Sequence, residues 1–374
     1  MVRRTGRTVK SEIRLARVNP RCGDDDAGRR LTSRSELPQN RGMASTLPDD
    51  PILPGATWRP LTARDAVPLA AAVEAARVAD GGEEVQTPDD MIRSLTDPQA
   101  PAATNTLGLA LDDGTFAGWA FVHERFHARL ARRAFLDRAT HPAVRGRGIG
   151  TLLLRWAIDR GEESLATQPA DLPRFLEAFR DVTSTGSVEL HRAHGFAPVR
   201  HYMDMRRGLA AALPAEPDVP GTRIVPYDAA FAELVRDAHN AAFADHWSSE
   251  PVRAEDWERD FVGEPHFRAD LSFVALADDE VAGYSANYCS EADWAVSDVR
   301  EAWIGQLGVR RAWRGRGLAT ALLVRSMEAF RAAGMEAASL GVDAENPTGA
   351  VGLYERLGFA VNRRFVRLRR PVAD

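Results

Sequence analysis

Cysteine is nearly missing from this sequence: Cys22 and Cys289 are the only two in 374 residues. Two cysteines cannot form a disulfide framework or a cysteine-rich zinc module. Lysine is scarcer still, since Lys10 stands alone and arginine makes up the rest of the 48 basic residues. Acidic residues number 53, giving a net charge of −5, whereas a general nucleic-acid binder carries a basic surplus. No apolar run approaches the roughly 20 residues that a membrane helix needs. What the chain does have is length and apolar content. At 374 residues and 44% apolar it exceeds one ordinary domain, and two or three are expected. The composition implies a soluble, cytoplasmic protein with no metal site, no membrane association and no nucleic-acid partner.

The basic residues are unevenly placed. Residues 1–46 hold Lys10 and ten arginines, among them Arg3, Arg14, Arg29 and Arg41, with no aromatic residue and no sustained apolar period. Such a stretch cannot bury enough apolar surface to offset the entropy lost on ordering. It reads as a disordered extension, or as an upstream start ahead of Met43. Without aromatics to stack on bases it makes a poor nucleic-acid arm.

The rest of the chain repeats itself. AFLDRATHPAVRGRGIGTLLLRWAIDRGEE (Ala134 to Glu163) parallels AWIGQLGVRRAWRGRGLATALLVRSMEAFRAAG (Ala302 to Gly334), with Arg145 falling on Arg314. Upstream, DDGTFAGWAFV (Asp112 to Val122) parallels DDEVAGYSANY (Asp278 to Tyr288). Downstream, VELHRAHGFAPV (Val188 to Val199) parallels VGLYERLGFAVN (Val351 to Asn362). Three blocks in one order indicate a duplicated domain. The organisation read from this is an extension (1–46), a first domain (47–210), a proline-rich linker (211–221) and a second domain (222–374).

Each half is expected to begin with a helix, around Asp65–Ala79 and Ala229–Ala244, followed by two strands joined by tight turns. An apolar strand then feeds an Arg/Gly-rich loop. Beyond it Leu318, Leu322, Leu323, Met327 and Phe330 mark one apolar face of a long helix. A strand (Ala338–Val342), a short helix (Thr348–Leu357) stopped by Gly358 and a closing strand (Phe359–Leu368) complete the second half.

The loop is Arg314-Gly315-Arg316-Gly317-Leu318-Ala319, and its twin is Arg145-Gly146-Arg147-Gly148-Ile149-Gly150. Glycines let backbone N–H groups turn inward, and the helix that follows adds unpaired donors and the positive end of its dipole. Together they form an anion site suited to a pyrophosphate, which the arginines can reinforce. Neither copy carries the GK[ST] of a P-loop or the three-glycine dinucleotide fingerprint.

The run Arg-x-x-Gly-x-Gly/Ala after a strand ending in Val resembles the acetyl-coenzyme A signature of the GNAT superfamily of N-acetyltransferases. NPTGAVGLYERLGF (Asn346 to Phe359) resembles that family's later motif. Tandem placement is similar in layout to acetyltransferases of the mycothiol synthase type. The resemblance implies an α/β fold, two tandem domains each with a mixed, mostly antiparallel sheet flanked by helices. It also implies acetyl-CoA as cosubstrate and a primary amine as acceptor, on a small molecule or a peptide, in a monomer or homodimer. Leu307 and Val309 would hold the pantetheine arm by their backbone. Arg314, Gly315, Arg316, Gly317, Leu318 and Ala319 would hold the pyrophosphate. Asn346 would orient the cofactor or cap the next helix. In the first half Arg145, Gly146, Arg147, Gly148 and Gly150 form a matching loop.

The same resemblance marks Tyr354, eight residues after Asn346, as the general acid for the leaving thiolate, since a phenol is protonated at neutral pH. The plainer role for it is packing. For the base, Glu301 lies on the same strand, and in a regular strand it shares a face with Trp303, Gly305 and Leu307. The family's usual glutamate position holds Trp303. In the first half His191 replaces Tyr354 and the asparagine is lost, so that copy is expected to be non-catalytic. Glu291, Asp293 and Asp298 form an acidic stretch suited to a cationic amine or simply to solvent. Trp247, Trp294 and Trp303 either line an acceptor pocket or fill the core. A non-catalytic acyl-CoA-binding protein is the alternative reading.

Overall fold

The computed structural model describes residue 48 and residues 52–124, 128–346 and 349–373. The expectations for residues 1–46 and for the start of the short helix at Thr348 lie outside them. In the first half the strands are β1 (Ala56–Arg59), β2 (Thr106–Leu111), β3 (Phe116–Glu124), β4 (Arg132–Thr140), β5 (Arg174–Asp181) and β6 (Ala197–Gly208). The second half repeats them as β7 (Arg223–Pro226), β8 (Phe273–Ala277), β9 (Glu280–Cys289), β10 (Glu301–Val309), β11 (Ala337–Asp343) and β12 (Ala360–Pro371).

The helices of seven residues or more among the described residues are α1 (Ala66–Ala79), α2 (Pro88–Leu95), α3 (Ile149–Ala166), α4 (Thr185–Ala193), α5 (Ala232–Phe243), α6 (Glu291–Ser297), α7 (Leu318–Ala332) and α8 (Ala350–Arg356). Two were not anticipated. For α2 the signal is a capping box: Thr87 accepts from the Asp90 N–H and Asp90 bonds back, with Pro88 in the first turn. For α6, Ser290 caps the Asp293 N–H, and Glu291 and Asp293 sit at the positive end of the helix. Of the acidic stretch, Glu291 and Asp293 therefore open a helix and Asp298 closes it.

Both halves contribute to one twelve-stranded sheet of order β1-β2-β3-β4-β5-β12-β6-β11-β10-β9-β8-β7. Only β4·β5 and β10·β11 pair in parallel; every other neighbour is antiparallel. The closing strands are exchanged. β12 lies against β5, and β6 lies against β11. The cores follow: Val366 and Leu368 of β12 pack with Leu153, Leu154 and Leu176 of the first half. Met203 and Met205 of β6 pack with Leu323, Met327 and Leu340 of the second. The proline-rich segment between the halves runs beside α7, where Glu216 takes Arg325 in two bonds of 2.7 and 2.9 Å and Val219 is buried.

Because Leu368 is fully buried in a core made by the other half, Leu368→Ala is expected to cost about 2–5 kcal/mol of stability. Hydrogen exchange should register the loss at β4 and β5, far away in sequence. Loss of protection confined to β7–β11 would contradict the exchange.

Candidate active site

β10 and β11 run in parallel register only from Glu301↔Ala337 to Ile304↔Leu340. Beyond that point neither strand has a register partner on the other, and a cavity of about 380 Å³ opens between them. The divergence begins at a bulge. Ile304 faces Asn287 on β9 and Gln306 faces Ala286, so Gly305 is the extra residue. The bulge reverses the alternation expected of a regular strand. Leu307 falls with Ala302 and Ile304 on the α7 face, whereas Gln306 joins the face of Glu301 and Trp303.

The cavity gathers most of the second-half residues singled out by the sequence. Leu307, Val309, Arg314, Gly315, Gly317, Leu318, Ala319, Asn346 and Tyr354 all line it. Arg316 does not; its guanidinium lies 4.8 Å from the Trp313 ring centre. Gly315 (φ 74°) and Gly317 (φ 88°) are left-handed, a conformation open to glycine and costly for a side chain. They turn the loop so that α7 starts with its end facing the cavity. The first backbone bond into the helix is Ala321 N–H to the Gly317 carbonyl (3.0 Å), which leaves the N–H groups of Leu318, Ala319 and Thr320 for an anion. Arg314 acts as a brace. Its Nε donates to the Val309 carbonyl (3.1 Å) and its Nη2 to the Ala242 carbonyl at the end of α5 (2.6 Å).

Tyr354 projects from α8 into the same cavity and meets the Phe359 ring edge-on at 6.1 Å. Among the described residues its hydroxyl has no hydrogen-bond partner, and burial pushes the phenol up to about 12.

Glu301 stands at the paired end of β10. Its carboxylate meets Arg206 of β6 at 2.6 Å, and Arg206 also holds Glu83 of the first half at 2.7 Å. A small cavity of about 60 Å³ there is lined by Glu83, Glu84, Asp204, Glu264, Asp293 and Glu301, against Arg206 and Arg363. Of the acceptor candidates, Asp293, Trp294 and Trp303 reach it, but Glu291 and Asp298 do not. Asp293 also accepts from the Val85 N–H at 2.8 Å, clasping the first-half loop. Trp247 lies elsewhere, with the guanidinium groups of Arg200 and Arg369 over its ring at 5.1 and 4.7 Å from the centroid. Cys289 lines the small cavity too, but burial pushes its thiol up to about 11, so it is no nucleophile at neutral pH.

The acetyltransferase (GNAT) family model matches residues 74–196 and again 232–359. This chain is a tandem GNAT acetyltransferase. A mycothiol acetyltransferase from Nocardiopsis dassonvillei is 31% identical over 313 residues, 77% of this chain and 88% of that protein. One from a Nocardioides species is 28% identical over 288 residues, covering 72% and 94%. A solved GCN5-related N-acetyltransferase from Sphaerobacter thermophilus superposes with a TM-score of 0.69 at 26% identity, covering 88% of this chain and 98% of that one. GNAT acetyltransferases use an acyl-CoA donor, and the loop and the diverging strands of the second half fit one.

In this GNAT chain the two halves are not alike. β4 and β5 also pair for four residues, up to Phe135↔Glu177, before they part. Arg180 bridges the space beyond. It reaches from β5 to donate to the Leu136 carbonyl on β4 (3.3 Å) and to its neighbour Phe179 (2.7 Å). Arg138, at the repeat position of Leu307, adds a second buried guanidinium, pushed down to about 9 by burial and by Arg180. A Cβ on Gly150 would lie 3.4 Å from its Nη1. Arg145 repeats the brace, with Nε donating to the Thr140 carbonyl (3.2 Å), and its remaining donors grip Asp80 at 2.6 and 2.9 Å. Gly146 and Gly148 are left-handed like their twins. His191 is wholly buried, its Nδ1 within 2.7 Å of the Ser187 carbonyl. Burial and the two arginines hold it down to about 2, so it is a neutral imidazole. The repeat carries the signal for this in the sequence: Arg138 aligns on Leu307 and puts a guanidinium where a pantetheine lane needs an apolar wall.

Proposed function

We propose that the second half transfers an acetyl group from acetyl-CoA to a primary amine by direct attack, while the first half carries no CoA. The observation that supports this is the contrast between two homologous strand pairs: one opens into a cavity lined by the signature residues, and the other is bridged by Arg180 with the Arg138 guanidinium buried beside it, its loop Arg145–Gly150 lining no part of the cavity there. The names of the Nocardiopsis and Nocardioides relatives support an acetyl donor and a small-molecule acceptor.

The chemistry assigns each group a task. The side of β10 that parts from β11 beyond Ile304 receives the pantetheine amides, and the N–H groups of Leu318, Ala319 and Thr320 receive the pyrophosphate. The neutral amine nitrogen attacks the thioester carbonyl carbon, and the C–S bond breaks as the C–N bond forms. The thiolate takes its proton from the Tyr354 hydroxyl. The proton that makes the amine an ammonium is taken before attack by Glu301, through water, and passed to solvent, and the second N–H proton leaves to solvent as the amide forms. Tyr354 is re-protonated from solvent after the thiol leaves.

Glu301→Gln is therefore expected to lower kcat/KM for the amine about tenfold to a hundredfold at neutral pH, with CoA affinity unchanged. Raising the pH, which deprotonates the amine beforehand, should narrow the difference. A thiol-release assay from pH 6 to 10 reads both. An effect that stays below twofold, or that does not shrink with pH, removes Glu301 from the base role.

A further inference from the structure

The face of the sheet from which an acceptor must approach is treated differently in the two halves. In the second half it is filled. Trp257 and Phe261 stack at 4.5 Å against Tyr284, His239 and Tyr288, all buried. The repeat of that face in the first half is hollow. Between α1, α2 and strands β3–β5 lies a cavity of about 370 Å³, walled by Trp119, Phe121, Phe135, Phe179 and Phe365. Phe365 arrives there on the exchanged strand β12, stacked on Phe179 at 5.1 Å. The cavity crosses the seam. At its far end it touches Trp303 and Gly341, and Gly341 also lines the CoA cavity.

We propose that this first-half cavity receives the acceptor, and that the acceptor is an arylalkyl amine with its ring among the first-half aromatics and its amine at Gly341. The proposal rests on the second half being the acetyl-CoA site. Shape and wall chemistry set the class. Five aromatic side chains from β3, β4, β5 and β12 offer flat apolar surface, which rewards an aromatic body for the apolar area it removes from water. A polyhydroxylated body would leave several hydroxyls against those rings without hydrogen-bond partners, a desolvation cost that an aromatic body avoids.

The cations of the wall are already matched. Arg77 is held by Glu74 at 2.6 Å, Arg363 by Asp181 at 2.6 Å, and Arg180 by Asp137 at 3.4 Å. Glu84 and Asp204, shared with the small acidic cavity, stand at the Trp303 end and give the amine a negative mouth. A degenerate GNAT copy thus serves as the specificity element for the other.

The test uses the full chain, acetyl-CoA and thiol release with tryptamine, phenethylamine and glucosamine. The expected result is kcat/KM at least tenfold higher for the two arylalkyl amines than for glucosamine. Trp119→Ala should raise KM for tryptamine at least tenfold while kcat and CoA affinity change less than threefold. Glu84→Gln, a loop substitution that leaves the aromatic wall intact, should raise KM for both amines about threefold or more. Turnover of glucosamine in preference to the arylalkyl amines would overturn the acceptor class. So would a tryptamine KM that neither variant moves, even though the acetyltransferase reading stands. Failure to bind acetyl-CoA at all would instead remove the reading beneath it, and this proposal with it.

Discussion

Tyr354→Phe is expected to lower kcat about a hundredfold while leaving the dissociation constant for acetyl-CoA within twofold. The substitution deletes one hydroxyl and keeps the ring, so the edge-on contact with Phe359 survives. What is lost is the proton source for the departing thiolate, and general acid catalysis commonly contributes 10²- to 10⁴-fold. The pH dependence follows from the raised phenol. A group held at about 12 is protonated throughout the assay range, and its acid form is lost only as pH rises through that value. The rate of the wild-type protein should therefore rise as the amine and its base lose protons, and should show no alkaline fall below pH 10. Stopped-flow thiol release from pH 6 to 10 checks both statements. A Phe variant within twofold of wild type would reduce Tyr354 to a packing residue, and an alkaline limb near pH 8 or 9 would name a different acid.

Gly317→Val is expected to weaken acetyl-CoA binding about tenfold to a hundredfold. Gly317 has φ 88° at the start of α7, and a β-branched residue pays about 1–3 kcal/mol to adopt such a conformation. The variant loop relaxes away from the left-handed form and turns the N–H groups of Leu318, Ala319 and Thr320 off the phosphate. Binding must then restore the strained form, which converts that free energy into lost affinity. Gly148→Val makes the same change at φ 86° in the first half. It should leave acetyl-CoA affinity unchanged, because the strand gap behind that loop is bridged by Arg180.

The duplication, the loops and nine of the second-half cavity residues were legible in the sequence because each rests on local chemistry. Glycine is demanded by a left-handed φ, and the apolar period of Leu318 to Phe330 announces α7. Features that depend on distant partners were not legible. No periodicity distinguishes a closing strand that returns to its own half from one that exchanges, since both bury Val366 and Leu368 alike. The bulge at Gly305 lay within reach of a single glycine but not of the period-two rule, which placed Leu307 on the wrong face. Glu301 was found as a strand carboxylate, yet its tie to Arg206 and Glu83 joins residues more than 90 positions apart. The aromatic cavity is the extreme case, because it draws on β3, β4, β5 and the exchanged β12 together.

The asymmetry of the two halves is read most directly by isothermal titration of the purified chain with acetyl-CoA. One site per chain is expected, lost or strongly weakened in Gly317→Val and preserved in Gly148→Val. Two sites of similar affinity, or a single site that survives Gly317→Val and disappears with Gly148→Val, would contradict the assignment of the cofactor to the second half.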